Sequence, residues 1–167
     1  MAWPRSAKRR TGRSDRSLAA AVNSSPDAPD QLREMLADAR SLLERFEQFL
    51  AESTQIIPAV GDALIRGELD AIGPLVDRSQ QLAESMLHNQ VEQTIFLQRS
   101  ARQLGATAAS AFGAGFGGSV WALVPESVAQ EFERRWTSEY HRQFAKNQSA
   151  SKFFRTRAGP GVVRLLV

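Results

Sequence analysis

The residue types most able to do chemistry crowd into one stretch, Ser110 to Val124, "SAFGAGFGGSVWALV". Gly113, Gly115, Gly117 and Gly118 fall within six residues, and an apolar run follows at once. Glycine at this density serves a backbone that must turn sharply or approach something closely. Gly113-x-Gly115-x-x-Gly118 matches the dinucleotide fingerprint, which places pyrophosphate on the free amides of a helix that begins at the glycines. Here a strand-like run follows instead, and no βαβ pattern surrounds it. With Val120 the stretch also satisfies the G-x-G-x-x-G-x-V loop of protein kinases. That loop needs a lysine on the next strand and a later H-R-D segment, and neither occurs. No G-K-[ST] is present, so the stretch is not a P-loop. On spacing alone, a tight turn between two strands and a ligand-facing loop both stay open.

Other chemistries are narrowed by composition. The 167 residues contain no cysteine, which removes disulfides, thiolate metal sites and cysteine nucleophiles. His88 and His141 are the two histidines and have no H-E-x-x-H spacing, so no metal site is expected. The net charge of +3 is unevenly placed. Residues 1–16 carry +5 and the remaining 151 residues carry −2. The basic leader has little apolar content and is expected to be a disordered, solvated tail. A nucleic-acid-binding arm is disfavoured, because no stacking aromatics follow Trp3. No apolar run is long enough to span a bilayer. The basic N-terminus lacks an apolar segment behind it, so a cytoplasmic protein is expected.

The elements that must position the glycines are legible from periodicity. "NSSPDAPD" reads as a linker, which makes residues 1–29 leader and linker and 30–167 the folded domain. Asp30 is a fitting N-cap. Leu32, Met35, Leu36, Ala39, Leu42, Leu43, Phe46, Phe49 and Leu50 then form one apolar stripe, predicting a helix over 30–52. A short helix from Pro58 is broken by Gly67. Helices are predicted over 69–88 and 92–104, the latter closed by Gly105. Strands are predicted over 106–111 and 118–124, flanking the glycines, with Trp121 as a core residue. A helix over 126–145 follows, carrying Val128, Phe132, Trp136, Tyr140 and Phe144 at steps of four. Strands over 152–157 and 162–167, joined by Gly159-Pro160-Gly161, close the chain. The fold class is α+β: a small, mainly antiparallel sheet with helices packed on one face.

In this setting "AFGAGFGGSVWALV" resembles the third conserved motif of the GHMP kinases, small-molecule kinases named for galactokinase, homoserine kinase, mevalonate kinase and phosphomevalonate kinase. The galactokinase-like form is a Gly-x-Gly-Phe-Gly-Gly loop between two strands, and Gly113-Ala114-Gly115-Phe116-Gly117-Gly118 fits it position by position. "SARQLGATAAS" is similar to the family's approach to the loop and "FFRTRAGPGVVRLL" to its closing hairpin. The resemblance covers about 30–167 and implies the fold of a GHMP kinase C-terminal domain. It also implies that Gly113, Ala114, Gly115, Phe116, Gly117, Gly118 and Ser119 border the nucleotide phosphates. Ser119 stands where many galactokinases have cysteine.

The family's sugar-recognition motif, its "GLGSSAA"-like phosphate loop and its catalytic residues belong to an N-terminal domain and are not found in this sequence. The resemblance therefore implies the C-terminal part of an ATP-dependent sugar kinase, phosphorylating a sugar hydroxyl such as the anomeric one. No catalytic residue and no metal ligand is expected in this chain. ATP and Mg²⁺ are the implied cofactors, used together with the N-terminal domain. The implied partners are a sugar, ATP, and an N-terminal GHMP domain or a dimer partner covering an apolar face; no membrane or nucleic-acid partner is expected. Ser79-Gln80 and His88-Asn89-Gln90 depart from the galactokinase pattern, so galactose and a uronic acid both remain open. His88 is either a substrate contact or an exposed helix-end histidine. The alternative function is a stand-alone, non-catalytic binding module on the same fold, for a nucleotide, protein or nucleic-acid partner.

Overall fold

The computed structural model describes residues 17–157 and 159. Helix α1 spans Leu18–Val22 and starts at Ser17, whose Oγ accepts the Ala20 amide at 3.2 Å. Helix α2 spans Ala28–Leu36 and α3 spans Arg40–Ala51. Ala21, Val22, Leu32, Phe46 and Leu50 bury together, with Leu18, Met35 and Phe49 packed around them. Two sequence expectations are corrected here. Residues 17–29, taken as linker, instead contribute α1 and the start of α2, because Ala21, Val22 and Ala28 have a core to enter. Residues 1–16 lie outside the described residues.

The helix expected over 30–52 is broken at residues 37–39, where Ala39 leaves helical geometry. In one straight helix, Leu32 and Phe46 would stand about 21 Å apart along the axis. The break folds α3 back on α2 so that both side chains share one core. The Arg33 guanidinium cross-links the pair, donating to the Glu47 carboxylate at 2.6 and 3.1 Å. No glycine or proline marks this break. Packing decides it.

Helix α3 runs through a wide π turn, Glu52–Ile56, into α4, Ile57–Arg66. Pro58 lacks the amide that would bond the Thr54 carbonyl, and its ring would crowd that carbonyl. The widened turn just before it lets the Ile57 amide donate to Glu52 instead. Gly67, at φ 72°, ends α4. Helix α5 spans Leu69–Leu82 and ends in a second π turn, Ala83–Leu87. Helix α6 spans Glu92–Gln103.

Strands β1 (Ala108–Phe112) and β2 (Ser119–Leu123) pair antiparallel, with Ser110 opposite Trp121 and Phe112 opposite Ser119. Helix α7 follows over Ala129–Gln143 after a 3-10 turn. Ala109, Val120 and Ala122 pack on Ala101, Phe132 and Trp136, so α6 and α7 cover one face of the sheet. The buried Trp136 indole donates to the Leu97 carbonyl at 3.0 Å and lies 3.1 Å from Ser100 Oγ. Helix α5 runs beside β1, where Ile72 and Val76 meet Ala108.

The chain is α+β, helix-rich, with a small antiparallel sheet. Residues 152–157, expected as a strand, join no ladder among the described residues. Their expected partner, 162–167, lies outside the described residues. Phe153 instead packs its ring on Trp136 and Tyr140, at centroid distances of 5.4 and 5.8 Å. No helix among the described residues is long and apolar enough to cross a membrane.

Candidate functional site

Residues 113–118 join β1 to β2 in a conformation that L-residues rarely adopt. Gly113, Gly115, Gly117 and Gly118 have φ of 97°, 88°, 112° and 101°. Phe116 is the non-glycine among them, at φ 62°. Such a run costs ordinary residues about 1–2 kcal/mol each, which explains the four glycines. The segment is a connection between strands, and no helix starts at its end. The dinucleotide geometry is therefore absent.

A left-handed Phe116 persists only if its surroundings hold it there. Asn89, in the loop between α5 and α6, does so twice. Its carbonyl accepts the Phe116 amide, and its Nδ2 donates to the Ala114 carbonyl at 3.0 Å. Gln90 Nε2 in turn donates to Asn89 Oδ1 at 3.0 Å, which fixes the side-chain amide. The approach is close. A Cβ added at Gly115 would lie 2.7 Å from Asn89 Cγ and closer still to the Asn89 carbonyl oxygen. Gly115 is thus required by space as well as by φ. Gly113, Gly117 and Gly118 have open space at the same position and are required by φ alone.

The root of the loop is held by α5. Gln80 is 2% exposed, and its Oε1 accepts both Ser110 Oγ and the Ala111 amide at 3.0 Å. Its Nε2 donates to Glu84 at 3.2 Å, and Arg99 donates to the same carboxylate at 2.8 Å. Gln80 thus closes the outer edge of β1 where the loop begins. At the other end of β1, Arg102 bonds Asp77 at 3.0 Å and donates to the Ala106 and Thr107 carbonyls. That cation is engaged in structure and does not face the loop.

Among the described residues, only the Phe116 amide of the segment 113–118 donates to a protein acceptor. The amides of Gly113, Ala114, Gly115, Gly117 and Gly118 are left for solvent or a ligand. An exposed run of main-chain donors in left-handed geometry suits anionic oxygens. No carboxylate belongs to the loop to oppose them. The donor set fits phosphate oxygens. It does not fit a metal ion, and no cluster of three or more His, Asp or Glu that could hold one occurs among the described residues.

All seven residues singled out from the sequence, Gly113 to Ser119, are contiguous at this site. Ser119 is exposed at the start of β2, and the Phe116 ring is 76% exposed. Trp121, expected in the core, is 39% exposed instead. Its side of the sheet carries Ser110 and Phe112 and is not covered by α6 or α7. It lines a hollow of about 290 Å³ with Glu52, Ile56, Val76 and Ser79. His88 ends the second π turn at φ 50°, largely exposed, with Nε2 3.7 Å from Glu44. That is the helix-end placement. Gln80 and Asn89 stand out in the sequence only as departures from the galactokinase pattern; their partners lie about 25 to 31 residues away, so local spacing could not assign them this role.

Residues 62–142 match the family model for the GHMP kinases C-terminal domain. A galactokinase from Pyrococcus furiosus is 30% identical over 122 residues, covering 72% of this chain and 34% of that protein. The crystal structure of Lactococcus lactis galactokinase complexed with galactose is similar at a TM-score of 0.67 and 21% identity. That match covers 83% of this chain and 35% of the other, and it shows the fold. The chain spans about a third of the length of both relatives.

Proposed function

The chain carries a galactokinase-like C-terminal domain of the GHMP kinase family, and from that premise we propose that it forms the C-terminal part of an ATP-dependent sugar kinase. Its substrate in this reading is a sugar, phosphorylated at a hydroxyl such as the anomeric one. Galactose is the first candidate, since both relatives are galactokinases. The observation that carries the reading is the loop itself. Five of the six residues 113–118 are left-handed, and one amide of the six donates to an acceptor among the described residues.

ATP supplies the transferable phosphoryl group. The chain's contribution is positional. The free main-chain amides of Gly113, Ala114, Gly115, Gly117 and Gly118 bind and orient phosphate oxygens, while Asn89 and Gln80 keep the loop from relaxing when charge shifts. Phosphoryl transfer gains most of its rate from such positioning and electrostatic stabilisation. The sugar-binding groups, the second phosphate loop and the Mg²⁺ ligands come from an N-terminal GHMP domain in this proposal. That domain would cover the apolar side that Phe112, Phe116 and Trp121 present.

The test is protection of the loop. In a complex of this chain with an N-terminal GHMP domain, ATP with Mg²⁺ should slow amide hydrogen exchange at residues 113–119. Adenosine should not. Protection by adenosine and ATP alike, or by neither, would remove the loop from phosphate binding. Protection by ATP without any sugar turnover would favour a nucleotide-binding module over a kinase.

A further inference from the structure

We infer that the cavity between the first turn of α6, Gly117–Gly118 and Tyr140 is an oxyanion subsite, sized for one phosphate-like group. The cavity has a volume of about 230 Å³, and its polar lining comes from Gln93, Thr94, Gly117, Gly118, Tyr140 and Asn147. Among the described residues, no carboxylate, lysine or arginine lines it.

Tyr140 provides the first observation. It is 6% exposed, yet its hydroxyl has no hydrogen-bond partner among the described residues. Buried hydroxyls are nearly always paired, so an unpaired one on a cavity wall points to something the cavity holds. The ring is wedged against Phe144 and Phe153, at centroid distances of 5.2 and 5.8 Å. It has little freedom to seek a partner elsewhere. Burial pushes the phenol pKa up, so at neutral pH the hydroxyl keeps its proton and can donate.

The second observation is the end of α6. This twelve-residue helix begins at Val91, a side chain with no acceptor, so its first-turn amides lack a side-chain cap. The Thr94 hydroxyl cannot serve, because it accepts the Val91 amide at 3.2 Å and lies 3.0 Å from Gln90 Oε1. The first turn of the helix, with its positive end, lines the same cavity as Gly117 and Gly118, whose amides have no acceptor among the described residues. Glu92, in the first turn, is exposed and does not line the cavity. Donors from Tyr140, the first turn of α6 and the glycines line a small space that Val91 and Leu97 complete, without a fixed negative charge among the described residues. That chemistry selects an anionic oxygen over a cation. The lack of a cationic side chain sets the affinity low.

This inference deepens the proposed function, since a nucleotide phosphoryl group and free inorganic phosphate offer the same oxygens. The probe is inorganic phosphate, titrated into the full chain at constant ionic strength and followed by backbone amide NMR. Saturable shifts should appear at Gly117, Gly118 and Gln93, with a dissociation constant on the order of 1 mM. Tyr140→Phe keeps the ring packing and should weaken binding about tenfold, the loss expected for a hydrogen bond to a charged group. Asn147→Asp is a half-buried change at a surface turn. It should abolish binding by placing a carboxylate on the wall, with the rest of the spectrum unchanged.

Absence of saturable shifts at these amides, or equal affinity in both variants, overturns the inference and leaves a water-filled cavity. Displacement of phosphate by ATP but not adenosine identifies a nucleotide as the source. Phosphate binding undisturbed by ATP identifies a free anion. Sugar phosphorylation with an N-terminal domain is measured separately, so the subsite can hold where the kinase reading fails, and the reverse.

Discussion

Gly115→Ala isolates the closest contact at the site. The new Cβ would sit 2.7 Å from Asn89 Cγ, whereas ordinary contact begins near 3.4 Å. The loop must therefore move by at least about 0.7 Å, and further to clear the Asn89 carbonyl oxygen. Left-handed strain at φ 88° adds about 1–2 kcal/mol and overpacking about 1–3 kcal/mol, for a total of about 2–5 kcal/mol. Gly117→Ala has comparable strain at φ 112° but open space around its Cβ, so it should cost only about 1–2 kcal/mol.

The difference between the two variants reports the steric term alone. Urea unfolding followed by circular dichroism gives the stabilities, and amide exchange at Phe116 gives the local effect. In Gly115→Ala the loop can escape only by giving up its bonds to Asn89, so the Phe116 amide should lose protection while core amides keep theirs. Adding Asn89→Ala should not rescue it, because the nearest obstacle is a main-chain atom. The reasoning fails if Gly115→Ala and Gly117→Ala agree within about 0.5 kcal/mol and protect Phe116 equally.

Gly73→Ala should destabilise α5 against β1 by about 1–3 kcal/mol in urea melts, since its Cβ would lie 2.8 Å from Arg102 Nη2 and closer to the Thr107 carbonyl. Gln80→Leu leaves the Ala111 amide without its acceptor and Ser110 Oγ with the Ala111 carbonyl, so it should cost about 1–3 kcal/mol and speed exchange at Ala111. The Arg40 guanidinium holds the Glu44 carboxyl below its ordinary pKa, so Arg40→Ala should raise that pKa in an NMR titration. The sign for stability follows: any contribution from this exposed pair is present above the unfolded carboxylate pKa and is lost as pH falls through the lowered folded value.

The sheet and the helices around it were legible because their signals are local. Alternating and branched residues mark β2, steps of four mark α7, and Gly67 and Gly105 stop their helices where their left-handed φ requires glycine. The break between α2 and α3 was not legible, since Ala37, Asp38 and Ala39 tolerate helix and only Leu32 meeting Phe46 forces the turn. Helix α1 was hidden because its five residues are too few to show a period. The glycine loop could be located, but what holds it could not. Asn89 and Gln80 reach it across the fold, through a carbonyl, an amide and one buried side chain. Trp121 was misplaced because alternation says which residues share a side of a strand, and not which side is covered.

Sugar phosphorylation by this chain together with an N-terminal GHMP domain tests the central claim most directly. The purified chain is assayed with ATP, Mg²⁺ and galactose or galacturonate, alone and with a matching N-terminal GHMP domain. The chain alone should show no turnover, and the combination should be active. Gly115→Val or Gly118→Val should abolish that activity, while Arg9→Ala and Arg10→Ala leave it unchanged. Turnover by the isolated chain on the order of 1–100 per second would contradict the account, because the catalytic groups would then lie within these residues.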